Sequence, residues 1–292
     1  MKQKQSAKIM HLKHRNNHDA VTIPEIFGIV NLTPDSFSDG NKYPDVQTAV
    51  ADALRMFEQG AAGVDIGAES TRPGAGEIPA AIQIQRLIPV INGILEQYQD
   101  AMISVDTRSA EVAEAALKAG AAIINDVSGL TYDPDMRKVV AEYHAPTVIM
   151  HMRGTPETMR KIPELMQYDN LIDDVAEELL HLAEKAISNG ISRDSILLDP
   201  GLGFAKTPEQ DMELIRKAGE LRQKTGFPLF YGPSRKSFMQ KYISHPLPPT
   251  ERDHATAGIL CALCNAGVEY VRVHNVKMAQ ECMTLFHAAQ SR

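Results

Sequence analysis

Residues 26–40 read Ile26-Phe-Gly-Ile-Val-Asn-Leu-Thr-Pro-Asp-Ser-Phe-Ser-Asp-Gly40. The first five are apolar or glycine and rich in branched side chains, the composition of a short buried strand. The ten residues from Asn31 carry three hydroxyls, two carboxylates, an amide, a phenyl ring and a proline. Pro34 and Gly40 bar regular helix or strand across them. A loop so dense in reactive groups, hung on a buried strand, reads either as a working part or as a surface turn built on Asx and Ser chemistry. The stretch alone weighs the two readings equally.

The same pattern recurs from residue 25 onward: a short apolar run ends in polar residues and an amphipathic helix follows. The predicted strands are 25–31, 63–69, 102–107, 122–127, 146–152, 196–199, 228–232 and 270–274. A helix over 48–59 lines up Ala49, Val50, Ala53, Leu54, Met56 and Phe57, with Gly60 as its C-cap. A second, over 109–119, ends at Gly120, and the longest, over 170–189, stops at Gly190. Alternating strand and helix means a parallel sheet with right-handed crossovers. Eight such units within 292 residues predict an α/β fold, a single (β/α)8 TIM barrel. A doubly wound sheet is the runner-up, weakened because no Gly-x-Gly-x-x-Gly follows the first strand. The domain reading is an extension over 1–22 and one barrel domain over 23–292.

Composition narrows the function classes. With 43% hydrophobic and 23% charged residues the chain is ordinary globular protein. No apolar run approaches the ~18 residues a membrane span needs. Three cysteines build no disulfide framework and suit reduced thiols in a cytoplasmic setting. Residues 1–22 carry a net charge of +4, leaving −11 on the rest. So acidic a body argues against nucleic acid as the main partner. The first 22 residues also lack the apolar stretch of a signal peptide. A floppy extension outweighs a metal site at His11, His14 and His18.

In a barrel the C-terminal strand ends build the site. Here they hold Asn31, Asp65 and Glu69, Asp106, Asn125, His151, Asp199, the run Ser234-Arg-Lys-Ser237, and Arg272 with His274. Asp and Asn also cap helices and form turns, and that plain role accounts for about half of them, most readily Asp126, Asp65 and Thr107. It fits Lys236, Arg272 and His274 less well. Arg272 and His274 share one strand face, and two such groups in one mouth suit an anion such as a diphosphate. Asp106, Asn125 and Asp199 offer a carboxylate–amide set for a flat heterocycle with a 2-amino-pyrimidinone edge. Lys236 then meets a ring carbonyl or nitrogen, or serves instead as an aldolase-type Schiff-base lysine. Cys261-x-x-Cys264 lies on an apolar helix pattern and reads as core rather than zinc.

At these residues the chain resembles the dihydropteroate synthase branch of the pterin-binding family. The resemblance rests on Gly28-Ile-Val-Asn-Leu-Thr-Pro-Asp-Ser-Phe-Ser-Asp-Gly40, Val64-Asp-Ile-Gly-Ala-Glu-Ser-Thr-Arg-Pro-Gly74, Ile103-Ser-Val-Asp-Thr107 and Ile124-Asn-Asp-Val127. Met150-His-Met152, Leu198-Asp-Pro-Gly-Leu-Gly-Phe204, Ser234-Arg-Lys236 and Arg272-Val-His274 complete it, all in family order and spacing.

The resemblance implies a homodimeric pterin-binding barrel that joins 4-aminobenzoate to a hydroxymethyl-dihydropterin diphosphate. Asp106, Asn125, Met150, Asp199 and Lys236 are then the pterin pocket, with Asp106, Lys236 and Arg272 as catalytic residues. Asn31, Arg272 and His274 hold the diphosphate, Asn31 through a Mg²⁺ ion. Phe37, Thr71, Arg72, Pro73, Phe204 and Ser237 form the aminobenzoate pocket, and Thr33 to Asp39 a lid. Asn41, Asn275, the Tyr231-Gly-Pro233 lead-in, the 245–249 loop and Asp253-His254 depart from the family pattern without removing a motif residue. Two other readings stand beside this one. One is a methyltetrahydrofolate:corrinoid methyltransferase barrel, which has no reason to keep Phe37 and Thr71-Arg72-Pro73 together. The other is a non-catalytic pterin-binding barrel, which has none to keep Asn31, Lys236 and Arg272.

Overall fold

The structure, a computed structural model, describes residues 23–32, 46–70, 76–159 and 161–290. The 1–22 extension, the 33–39 lid and the predicted site residues Phe37, Thr71, Arg72 and Pro73 lie outside the described residues.

The alternation in the sequence becomes, among the described residues, β1 (Glu25–Asn31), α1 (Val46–Glu58), β2 (Gly63–Gly67), α2 (Ala80–Gln97), β3 (Ile103–Asp106), α3 (Ala110–Ala119), β4 (Ile123–Asp126) and α4 (Met136–Tyr143). There follow β5 (Thr147–Met150), α5 (Leu171–Ser188), β6 (Ile196–Asp199), α6 (Pro208–Arg216), α7 (Ala218–Thr225), β7 (Phe230–Tyr231), α8 (Asp253–Asn265), β8 (Tyr270–Val273) and α9 (Val276–Gln290). All pairings are parallel, in the order β6-β5-β4-β3-β2-β1-β8-β7. A single bridge, Leu198 to Leu229, joins the two ends and closes the barrel. No helix among the described residues is long and apolar enough to cross a membrane.

Local chemistry accounts for the boundaries. Gly60, Gly120 and Gly190 all take left-handed φ, at 97°, 110° and 94°, where the sequence asks for helix stops. Ser109 caps α3, and Thr207 with Gln210 forms a capping box on α6. Several strands are shorter than predicted. β2 ends at Gly67, not Glu69, and β7 keeps only Phe230 and Tyr231. Pro228 and Pro233 bracket β7 and cannot donate to a ladder. The helix predicted as longest, α5, shares its 18 residues with α2, which tolerates Pro89 inside it. Cys264 is core, as expected, while Cys261 faces Cys282 of α9 with sulfurs 3.4 Å apart.

Strand parity sorts the interior into two worlds. Ile26, Val30, Val64, Ile66, Ile103, Val105, Ile124, Ile149 and Leu198 face the helices in one large core. The alternate residues Phe27, Ile123, Val148, Leu197, Phe230 and Tyr270 form a separate cluster that plugs the barrel. Phe27 packs edge-on against Phe230 and Tyr270, with ring centres 5.5 and 6.2 Å away. Two residues further along the same faces stand Asn125, Asp199 and Arg272, so a polar layer rests directly on an apolar floor. Removing the central ring opens that floor: Phe27→Ala is expected to cost about 3–5 kcal/mol in urea unfolding. A loss below about 1 kcal/mol would mean that the plug does not carry the barrel.

Candidate active site

The polar layer centres on Arg272, whose side chain reaches inward from β8. Its Nε pairs with Asp65 Oδ2, and its Nη2 donates to Asp106 Oδ2 at 2.9 Å. Asn125 Nδ2 also donates to Asp65 Oδ2, at 3.0 Å. Asp65, Asp106 and Asn125 are all buried, at 0%, 7% and 4% exposure. Asp65 is therefore no turn former, contrary to the plain reading of the sequence. It belongs to the inward face of β2 and holds Arg272 and Asn125 in place. Parity separates it from Asp126, whose Oδ1 accepts from Ser128 N and Oγ at 2.7 and 2.6 Å, the Asx turn expected. Thr107 likewise keeps its plain role, accepting from Ser109 N at 3.2 Å.

Charge in this layer does not cancel. Two buried carboxylates share one guanidinium, and Asp199 lies on the same inward face. Burial pushes the Asp106 carboxyl up to about 7, against the pull of Arg272, and neighbouring Asp65 adds to the rise. Burial also lifts Asp199 to about 6, although its Oδ1 accepts from Gly201 N at 2.7 Å and Lys236 pulls it back. Lys236 is shifted the other way: burial lowers it to about 8 while Asp199 draws it up. The groups predicted to meet a flat ring are thus poised near neutrality, as functional groups often are.

The Ser234-Arg-Lys segment is set by Arg235, which adopts φ 60°. Its guanidinium grips Asp253 at 2.7 and 2.9 Å, its N–H donates to Thr256 Oγ1 at 3.2 Å, and its carbonyl accepts from Arg252 at 3.0 Å. So clamped, the turn leaves Lys236 with its ammonium 4.5 Å from the centre of the Phe204 ring. Asp253 also accepts from Asn275 Nδ2 at 3.1 Å, and Asn275 Oδ1 caps Met278 N at 3.1 Å. Two departures from the family pattern are therefore partners. His274 is fixed from the same turn, with Nδ1 2.9 Å from Ser234 Oγ, which also accepts from His274 N at 3.1 Å.

The remaining predicted residues fall around this centre. Asn31 ends β1, half-buried beside Gly67 of β2. Met150, 4% exposed, packs with Phe204, Ala205 and Met159. Ser237 is exposed at the start of the short helical turn Ser237–Tyr242. His151 is drawn into a separate network with Glu178 and Lys206. Glu69 has a part that sequence reading missed. It accepts from Arg108 at 3.1 and 3.3 Å and from Ile78 N at 3.1 Å, tying together the two ends of the segment that contains Thr71, Arg72 and Pro73. Its i+4 place after Asp65 gave no hint of this, because the partner lies 39 residues away.

The pH response follows from these shifts. A carboxyl raised above its ordinary value keeps in the fold a proton that the unfolded chain has released. Its stabilisation is fully present below pH ~4 and is lost as pH rises through the folded value, about 7 for Asp106. Urea unfolding across this range should show Asp106→Asn falling less steeply with pH than the parent. Parallel pH profiles would remove Asp106 as a titrating group.

The chain matches the family model described as pterin binding enzyme over residues 27–274. It is 43% identical over 258 residues to the dihydropteroate synthase of a Synechocystis strain, covering 88% of this chain and 87% of that one. It is 40% identical to a mitochondrial folate synthesis bifunctional protein of Arabidopsis thaliana, covering 86% of this chain but only 47% of that longer one. The Xanthomonas albilineans dihydropteroate synthase, solved with 4-aminobenzoic acid, superposes with a TM-score of 0.84 at 36% identity, covering 93% of this chain and 95% of that one. The same enzyme solved with 7,8-dihydropteroate gives a TM-score of 0.80 at 33% identity, covering 94% and 96%. By the family match and by identity and coverage against these relatives, the chain belongs to the pterin binding enzyme family and, within it, to the dihydropteroate synthases.

Proposed function

We propose that the protein condenses 6-hydroxymethyl-7,8-dihydropterin diphosphate with 4-aminobenzoate, giving 7,8-dihydropteroate and diphosphate. One observation carries the reading: Asp106, Asn125 and Asp199 lie on one inward layer with Arg272, above an apolar floor. Such a layer matches a flat, polar-edged ring better than it matches a metal cluster or a nucleophile–base pair.

The steps follow from the groups present. Asn125 and Asp199 bind the amino-pyrimidinone edge; Asp199 Oδ1 is taken by Gly201 N, which leaves Oδ2 to accept from the ring. Met150 covers the ring, and Lys236 meets its polar rim. The carbon–oxygen bond to diphosphate then breaks, its electron pair leaving with the diphosphate. Positive charge grows on the pterin methylene, next to the Asp106 carboxylate. Arg272 and His274 attract the departing anion. The aniline nitrogen of 4-aminobenzoate attacks with its lone pair and afterwards sheds a proton. A neutral aniline needs placement more than deprotonation. Phe204 and Ser237, with Phe37, Thr71, Arg72 and Pro73, supply that placement.

Among the described residues no group of three His, Cys, Asp or Glu side chains could hold a metal ion. A Mg²⁺ ion needs no such cage, since it keeps waters and takes substrate phosphate oxygens beside one or two protein oxygens. The Asn31 amide oxygen at the end of β1 fits that role, and a Mg²⁺ held there would neutralise charge on the diphosphate. The resemblance also supports a homodimer, and the free cysteines support a reducing cytoplasmic setting.

The decisive assay mixes the protein with the pterin diphosphate, 4-aminobenzoate and Mg²⁺ and measures dihydropteroate. Product is expected, and Lys236→Ala should cut turnover about 10²-fold or more with an unchanged circular dichroism spectrum. Methyl transfer from methyltetrahydrofolate without any dihydropteroate would overturn the reading, and near-normal turnover in Lys236→Ala would take that lysine out of the site.

A further inference from the structure

Beside Phe204 runs a buried polar chain that the substitution chemistry does not use. Lys206, 7% exposed, places Nζ 3.0 Å from the Phe204 carbonyl oxygen and 2.9 Å from His151 Nδ1. Its ammonium donates to both, so the His151 proton sits on Nε2, which donates to Glu178 Oε2 at 3.0 Å. Arg153 grips Glu178 through Nε at 3.0 and 3.2 Å and lies 3.9 Å over the Tyr168 ring. Tyr168 in turn donates its hydroxyl to the Ala205 carbonyl at 3.2 Å. Two consecutive carbonyls of one loop are thus held by a single network anchored on β5 and α5.

Two features make this more than ordinary packing. An ammonium is costly to bury, and among the described residues no carboxylate stands within ion-pair distance of Lys206 Nζ. The loop it holds is also one that would not keep its shape alone. Gly201, Gly203 and Ala205 have φ of 69°, 79° and 48°, and Ala205 carries a Cβ in that left-handed state. At Gly201 an added Cβ would lie 2.0 Å from the His151 carbonyl oxygen, so the loop is pressed against β5. The Phe204 ring at its tip is the surface on which the Lys236 ammonium rests.

We propose that Lys206 is a positioning residue for the aniline substrate: through the Phe204 carbonyl and His151 it fixes the Phe204 ring against which 4-aminobenzoate packs. The inference rests on the synthase reading and deepens it. It assigns a role to the buried Lys206–His151–Glu178 chain, and it separates two substrates that share one mouth. Asp106, Asn125 and Asp199 sit on β3, β4 and β6 themselves, whereas Met150 and Lys236 meet this loop at Phe204, so the pterin site feels the loop less than the aniline site does.

The test is steady-state kinetics on Lys206→Met, with pterin affinity measured separately by calorimetry using 6-hydroxymethylpterin. The KM for 4-aminobenzoate should rise about tenfold or more, as loss of two charge-assisted bonds implies, while pterin affinity falls by a smaller factor, about threefold at most. Lys206→Arg, which keeps charge and donors, should recover part of the loss. If Lys206→Met does not fold, Glu178→Gln replaces it, with the same direction at smaller size. Equal losses for both substrates, or none for either, would overturn the role of Lys206. Absence of dihydropteroate with the unaltered protein would instead overturn the synthase reading, so the two failures are distinct.

Discussion

One guanidinium between two buried carboxylates governs the mouth of this barrel. Arg272 draws Asp65 and Asp106 together from β2 and β3, and Asp65 passes the constraint on to Asn125 of β4. Breaking such a buried set would leave uncompensated charge on a layer whose floor is aromatic and aliphatic. The arrangement keeps the pterin-directed groups rigid. Burial in this layer is also what lifts the Asp106 and Asp199 carboxyls above their ordinary range, with Asp65 adding to the rise at Asp106.

Around this fixed centre the site residues carried by loops are held differently. Phe204 belongs to a loop gripped from α5, and Lys236 to a turn gripped by Asp253 of α8. Glu69 ties the base of a third segment through Arg108. Strands therefore carry Asp106, Asn125 and Asp199, and stapled loops carry Lys236 and Phe204. A barrel can vary such loops without disturbing the sheet that supports them.

Much of this was legible in the sequence, for identifiable reasons. Glycine stops, helical periodicity and branched runs are local signals, so α3, α5, β1 and β6 fall where expected. The set Asp106, Asn125, Asp199 and Arg272 was legible because strand ends in a barrel converge. Asp65 was misjudged, since a carboxylate near a strand end looks like a cap until parity is fixed by the plug residues. The parts played by Lys206 and Glu69 depend on partners 55 and 39 residues away, which no spacing reveals. The Arg235 clamp was equally hidden: its positive φ and its partner Asp253 are properties of the folded turn.

The central claim is that carboxylate and amide groups of the inward layer read the amino edge of a pterin ring. Calorimetric titration with pterin and with lumazine, which carries oxygen in place of the 2-amino group, tests it most directly. The account predicts that pterin binds about tenfold or more tightly than lumazine, because an oxygen facing Asp199 replaces a bond with repulsion, and that Asp199→Asn erases the preference. Equal affinities for the two rings in the unaltered protein would contradict it.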